Sequence, residues 1–410
     1  MSLPPHFDYN DAQQVYCLSA ASNAVGSMSA TQADLQSAME TSLREKLPQI
    51  SGNWEVSWGP CVYSRYPAWD FPPENVCFAA VSHPQKRVVV AVAGTAPPAG
   101  SDWLDDVNIY ESVDLSEWFG QWDTMIGVPP PSEEWWVSSG DMVCSDGTAN
   151  GVFNILNNAP PSTAHDSGVL LWQYLQDLPS DYTLIMTGHS MGGAIVPVLA
   201  LGLSNARMVA PGSFYTMTSA GPGVGNEAFV GAYKQAFPVK QHGSPPNYAT
   251  LNSDLFNPND IVPQAWSTDA ADDRTLDNIP YAIYTKARVP GDFGAIWDTI
   301  WSAVKAAKAI AEWSFVDYRT IPGTPFTKIP PFQQPITTVD EAAQSVKDQH
   351  TKYYWRYIGI DKFEDEFEKH VGAQPGVSKP KIILGSTRQS LRELKKKERG
   401  AVEKSEPSKQ

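Results

Sequence analysis

The chain has 410 residues, 42% of them hydrophobic, enough to bury a large core in one elaborated domain or two. Its 30 basic and 45 acidic residues leave a net charge of -15, which would repel a phosphate backbone and argues against nucleic acid as a partner. Residues 1 to 30 have neither the basic start nor the apolar run of a signal peptide or membrane anchor, so the expectation is a cytoplasmic protein without a transmembrane segment, or a secreted form after processing. Cys17, Cys61, Cys77 and Cys144 show neither metal-ligand spacing nor the density of a disulfide framework, and free thiols are expected.

In chain order, residues 1 to 60 carry helix formers, as in "ATQADLQSAMETSLREKL", and read as a helical segment packed on the core. "VCFAAVSHPQKRVVVAVAGT" predicts two strands around a His-Pro-Gln-Lys turn, the second a β-branched run suited to burial on both faces. Residues 113 to 150 read as irregular, rich in Trp and Pro. A helix is expected at about 166 to 178, stopped by Pro179. A strand and helix then surround "GHSMGG", followed by a strand "SFYTMTSAGP", a helix "NEAFVGAYKQAF" and a strand "NYATLNS". Strands alternating with helices predict an α/β fold with a mostly parallel central sheet flanked by helices. Residues 371 to 410 close the chain as a basic, solvated tail.

The sharpest local signal is "YTLIMTGHSMGGAIVPVLALGL", where an apolar strand runs through Gly-His-Ser-Met-Gly-Gly directly into a helix. A turn that tight forces its central residue into strained backbone geometry and brings the residues two before and two after it together, so both must be small. Gly188 and Gly192 meet that demand around Ser190. The turn lifts the Ser190 hydroxyl to the carboxyl edge of the sheet, and the helix behind it points free N-H groups at any anion formed there.

A serine hydroxyl needs a base to take its proton, and the base needs an acid to hold its tautomer and stabilise its charged form. On this architecture the order along the chain is Ser, acid, His. His242 lies in a polar Gly/Pro loop and His370 ends a charged helix, where capping suits it. His350, in "VKDQHTKYYWRY", precedes an aromatic run able to pack around an imidazole and is the preferred base. In "LNSDLFNPNDIVPQAW" the preferred acid is Asp260, which follows a strand and an Asn-Pro-Asn loop, with Asp254 in reserve; an Asx-turn cap is the plainer reading of Asp260.

These blocks, in this order, resemble the fungal-type class 3 lipases: "VVVAVAGT" with "DWLDD", "GHSMGG", "GPGVGNEAF", "NPNDIVP" and "DQHTKYY", spanning about residues 76 to 358. The chain departs from the family pattern at Ala93, where Arg is usual, at Met191, where Leu is commoner, and in "GPGVGN", which lacks the family's Arg. The resemblance implies an α/β-hydrolase domain over residues 61 to 370, with Ser190, Asp260 and His350 as the triad. It also implies an oxyanion hole from the backbone amides of Thr95 and Met191, with Asp106 orienting the Thr95 hydroxyl; a first-turn helix charge is the plainer role for Asp106. No cofactor and no metal is implied.

Between Thr95 and Trp103, where the family's lid lies, the chain has only "APPAGSD". A helical insertion at about 265 to 345 separates acid from base, and within it Ile296, Trp297, Ile300, Trp301, Val304, Ala307, Ala311 and Phe315 recur at helical spacing as one apolar face. That face is either core or a cap able to make transient lipid-surface contact through residues 296 to 315. The expected activity is hydrolysis of an ester or lipid substrate, an acylglycerol first; phospholipase A1 and feruloyl-type esterase activity are the alternatives, and an inactive hydrolase-fold binding protein is a third reading.

Overall fold

The computed structural model of the chain describes residues 6–94, 109, 111–122, 125–131, 140–242, 248–283, 294–328 and 339–363. Helices α1 (Asp11–Ser22) and α2 (Gln32–Lys46) come first. Asn10 starts α1 with a reciprocal cap, its side chain accepting from the Gln13 N-H while the Gln13 side chain accepts from its own. Three strands follow: β1 (Glu55–Tyr63), β2 (Asn75–Ser82) and β3 (Arg87–Val92). A short excursion comprises β4 (Ser112–Asp114), α3 (Leu115–Trp122), β5 (Val143–Ser145), α4 (Asp146–Asn157) and α5 (Leu171–Gln176). The centre is β6 (Thr183–His189), α6 (Met191–Asn205), β7 (Ser213–Ser219) and α7 (Glu227–Ala236). A two-residue ladder, β8 (Lys240–Gln241) with β9 (Thr250–Leu251), precedes β10 (Asp254–Phe256). The remainder is α8 (Ile279–Ile283), α9 (Gly294–Trp313), β11 (Gly323–Pro325), α10 (Val339–His350) and α11 (Lys352–Ile358).

Seven strands form one sheet in the order β1-β2-β3-β6-β7-β10-β11. The pairs β1/β2 and β2/β3 are antiparallel, and every pair from β3 to β11 is parallel. This is the expected α/β-hydrolase arrangement, a mostly parallel sheet with helices on both faces. The period of two along a strand explains why both faces are covered: in β3, Val88, Val90 and Val92 point into one core, and Val89 and Ala91 into the other. Helix α6 lies on the first face and is buried from Met191 to Leu203. Helices α1, α2 and α11 bury their apolar residues with the second. All four cysteines are free and buried.

Several local expectations are corrected. The stretch 113 to 150 holds α3, the β4/β5 ladder and the start of α4. Asp114 begins α3 by accepting from the Ser116 and Glu117 N-H groups, and Trp118, Phe119 and Trp122 are buried there. The helix expected at 166 to 178 is confined to α5, because Asp166 and Gly168 both turn at positive φ just before it. The strand read at "NYATLNS" contributes only β9 to a side ladder. At Asn252 the backbone turns at φ 60° while the side chain bonds the Thr216 N-H, and the chain then enters the main sheet as β10. Of the apolar stripe, Val304, Ala307 and Ala311 are buried in the core and Ile300 and Trp301 pack against it. Phe315 departs from it: it lies beyond α9, at φ 56°, and is 84% exposed.

One buried ion pair braces the acid end of the sheet. Asp254 on β10 accepts from Arg274 Nη1 at 3.0 Å, from the Thr218 hydroxyl at 3.1 Å and from the Gly221 N-H at 3.1 Å. Arg274 also donates to the Ile321 carbonyl and lies over the Phe256 ring. Burial pushes the Asp254 carboxyl up to about 6, although Arg274 and the two hydrogen-bond donors pull it down. Because the folded-state value lies above the unfolded one, native Asp254 holds more proton between about pH 4 and 6, and its contribution to stability falls as pH rises through that window. Replacing Arg274 by Met leaves a buried carboxylate without its counter-charge, so stability at pH 7 should fall by about 3 to 5 kcal/mol. Urea unfolding should give a clearly smaller loss at pH 5, where the carboxyl can take up a proton; an equal loss at both values would contradict this account of the pair.

Candidate active site

The site begins with a backbone conformation. Ser190, between β6 and α6, has φ 61° and ψ -125°, a region that a non-glycine residue occupies only when its surroundings hold it there. They do so on three sides. The Ser190 N-H donates to the Ser219 carbonyl of the adjacent strand at 3.0 Å, and the Gly193 N-H donates back to the Ser190 carbonyl at 2.8 Å. A Cβ on Gly188 would stand 2.9 Å from the Gly192 Cα, and one on Gly192 would overlap the Val92 carbonyl oxygen. Gly94 presses against the turn from the third side, since a Cβ there would stand 2.7 Å from the His189 carbonyl oxygen and 3.0 Å from the Ser190 Cβ.

His350 is the last residue of α10, and its ring bridges groups that follow β6 and β10, the strands on either side of β7. Nε2 lies 2.8 Å from Ser190 Oγ and Nδ1 lies 2.7 Å from Asp260 Oδ2. Facing a carboxylate, Nδ1 is the donor, which leaves Nε2 to accept from the serine hydroxyl. The ring is 17% exposed and the Asp260 side chain is wholly buried.

Asp260 is held by three hydrogen bonds. Oδ1 accepts from the Val262 N-H at 3.0 Å, and Oδ2 accepts from the Tyr354 hydroxyl at 2.9 Å as well as from His350. Burial, then the charge of Asp260, raise the Tyr354 phenol well above its ordinary range and keep it a donor. Its oxygen in turn accepts from the Asn257 N-H at 3.0 Å. The Asn257 side chain clamps the histidine-bearing segment to the acid loop, donating to Gln349 Oε1 at 2.6 Å and to the Gln349 carbonyl at 3.1 Å. These three residues sit next to the acid and base in the sequence and have ordinary polar side chains, so nothing in the pattern assigned them a part. Tyr354 alone left a trace, four residues after His350 in "DQHTKYY".

His189 packs against His350 with ring centroids 4.8 Å apart and also against Tyr354 and Trp355 at 5.1 Å each. Its Nδ1 lies 3.0 Å from Ser219 Oγ. Burial, and then the proximity of His350, depress its pKa well below the ordinary value, so a neutral imidazole lines one side of the base.

Of the remaining sequence candidates, Met191 is the first residue of α6, directly beneath Ser190, and is buried. Asp254 is engaged in the ion pair with Arg274 rather than with a histidine. His242 faces Asp11 at 3.7 Å. Thr95, Asp106 and His370 lie outside the described residues, as does the segment Ala96 to Ser101. Among the described residues no cluster of three His, Cys, Asp or Glu side chains could hold a metal, and no helix is long and apolar enough to cross a membrane.

The family profile described as Lipase (class 3) matches residues 133–269, which contain Ser190 and Asp260. No curated protein matches the chain. Among solved structures, the M37 lipase is similar at a TM-score of 0.61 and 20% identity, covering 89% of this chain and 99% of its own, so the two share a fold over nearly their whole lengths. A nonglycosylated lipase of Yarrowia lipolytica gives 0.40 at 18% identity, covering 64% of this chain and 77% of its own. The triacylglyceride lipase of Rhizomucor miehei gives 0.35 at 16% identity, covering 62% and 73%. Residues 133–269 thus match the class 3 lipase profile within a chain of α/β-hydrolase fold, and the match marks the chain as a carboxylic ester hydrolase.

Proposed function

We propose that the chain hydrolyses acylglycerol-like esters through an acyl-enzyme formed on Ser190. The observation that carries this reading is the continuous chain of hydrogen bonds from Ser190 Oγ through His350 to Asp260, with 2.8 and 2.7 Å links. His350 Nε2 takes the hydroxyl proton as Ser190 Oγ attacks the ester carbonyl carbon, and Asp260 stabilises the imidazolium that results. The amides of Met191 and Thr95 hold the oxyanion, with the Thr95 hydroxyl oriented by Asp106. The imidazolium then gives its proton to the departing alcohol oxygen. Water, deprotonated by the same His350, attacks the acyl carbonyl and releases the acid. The short Ser190 to His350 separation supports an enzyme over an inactive binding protein with the same fold.

Ser190→Ala removes one oxygen and should abolish ester turnover with the unfolding temperature retained. His350→Ala should cost a factor of about a thousand or more in kcat, as the loss of a base in such a triad does. His242→Ala, whose imidazole serves Asp11, should stay within about twofold of the parent. Turnover of triglyceride, phospholipid, feruloyl and short aliphatic esters side by side identifies the head group, with the acylglycerol expected to lead; preference for phospholipid or feruloyl ester would move the assignment to one of those activities. Activity retained in Ser190→Ala would remove the basis of the whole reading.

We further propose that the end of α9 makes transient contact with aggregated substrate. Trp313 and Phe315 are 77% and 84% exposed, and Trp301 lies edge-on to Tyr281, itself 41% exposed, at 6.3 Å. Aromatic side chains of this size transfer roughly 150 to 250 Å² each, at about 25 cal/mol per Å², whereas "APPAGSD" offers mainly Ala, Pro and Gly. Rate measured against ester concentration should therefore rise without a threshold for short esters below their solubility limit. For an emulsified long-chain ester, the Trp313→Ser, Phe315→Ser double variant should lose about tenfold or more while keeping its short-ester rate. A sharp jump at the solubility limit that survives in the double variant and vanishes on shortening Ala96 to Ser101 would assign surface contact to that loop instead.

A further inference from the structure

The N-terminal helices lie outside the matched segment 133–269, yet one of their side chains reaches the catalytic edge of the sheet. Asn23, at the C-terminal cap of α1, accepts from the Gly94 N-H through Oδ1 at 2.9 Å. Its Nδ2 donates to the Ser19 carbonyl at 3.0 Å, so the carboxamide is fixed from both ends and its oxygen must face Gly94. The other end of α1 is pinned as well, because Asp11 pairs with Arg87 at the start of β3 at 2.8 Å. Helix α1 thus runs alongside β3 and is tied to both ends of it. Gly94 is the residue whose backbone presses on the Ser190 turn.

We propose that Asn23 is a positioning residue for ester hydrolysis: it holds Gly94 against the Ser190 turn and thereby fixes where Ser190 Oγ stands relative to His350 Nε2. This rests on the reading of Ser190 as nucleophile. A misplacement of about 1 Å between reacting groups can cost about a hundredfold in rate. The N-terminal helical segment is in this view a working part of the site, since its Asn23 side chain bonds the main chain at the exit of β3.

The test compares Asn23→Ala, Asn23→Asp and Asp11→Ala in the full chain, on a soluble short ester, with thermal unfolding recorded for each. Asn23→Ala should lower kcat about tenfold or more with KM within about twofold, and should weaken a trifluoromethyl ketone, whose adduct carries the oxyanion, by a similar factor. Asn23→Asp keeps an acceptor for Gly94 but loses the donor to Ser19; it should be less stable than the parent yet recover most of the kcat lost in the alanine variant. Should Asn23→Ala fail to fold, retention of kcat and inhibitor affinity by Asn23→Asp at reduced stability carries the same distinction. Asp11→Ala loosens the same helix from its other end and should lower the unfolding temperature with kcat within about twofold. Asn23 variants whose kcat stays near the parent's, or whose losses merely track unfolding temperature as Asp11→Ala does, would overturn the proposal. Activity persisting in Ser190→Ala would instead overturn the reading beneath it, and the proposal would fall with it.

Discussion

The arrangement depends on one backbone torsion, the positive φ of Ser190. A side chain at that φ costs on the order of 1 to 3 kcal/mol relative to relaxed backbone, and the surrounding fold must hold it in place. The register of the sheet does so: β6 pairs with β7 so that Ser219 stands beside His189 and offers its carbonyl to the Ser190 N-H. Gly94, Gly188, Gly192 and Gly193 each leave out a Cβ that would push the turn apart. Without that torsion the hydroxyl would lie within the pleat of the strand and α6 would start elsewhere. With it, the serine is lifted above the carboxyl edge at the N-terminus of a helix that is buried along most of its length.

Asp260 and His350 reach this point from segments that the parallel core does not itself contain. Asp260 follows β10, and His350 ends a helix whose chain has passed through α8, α9 and β11 in between. A set of polar contacts joins them, beside the apolar residues that α11 buries in the second core. Asn257 bonds Gln349, Tyr354 bonds both Asp260 and Asn257, and His189 forms a neutral wall behind the imidazole. A buried carboxylate is costly unless its lone pairs are met, and Asp260 meets that condition with a main-chain amide, a phenol and the imidazole. The deeper Asp254 is stabilised differently, by the guanidinium of Arg274. Two buried aspartates six residues apart therefore serve two purposes, one carrying a countercharge and one facing the histidine.

The parts legible in the sequence were those whose physical demands are local. Gly-His-Ser-Met-Gly-Gly between an apolar strand and an apolar helix names its own geometry, and the β-branched run of β3 announces burial on both faces. Asp260 and His350, which the structure brings into hydrogen-bond contact, were reachable because chain order and flanking residues narrowed each to a short choice. What stayed hidden depends on distant partners. Asn23 bonds Gly94 across 71 positions, and nothing around Asn23 marks it as more than a helix end. Helix α3 is only eight residues long with aromatics at successive positions, so its period could not be separated from loop composition. Likewise β10 begins where Asn252 redirects the chain to satisfy Thr216, a contact invisible until β7 is in place.

The most direct test of the account is whether Ser190 is chemically the nucleophile. A fluorophosphonate reacts with a serine hydroxyl only where a base removes its proton and a preformed pocket receives the phosphoryl oxygen. Incubation with such a probe, followed by peptide mapping, should locate the label on Ser190 alone among the chain's serines, with labelling slowed strongly in Asp260→Asn. Labelling at another serine, or none at all in a folded and ester-hydrolysing preparation, would contradict the account.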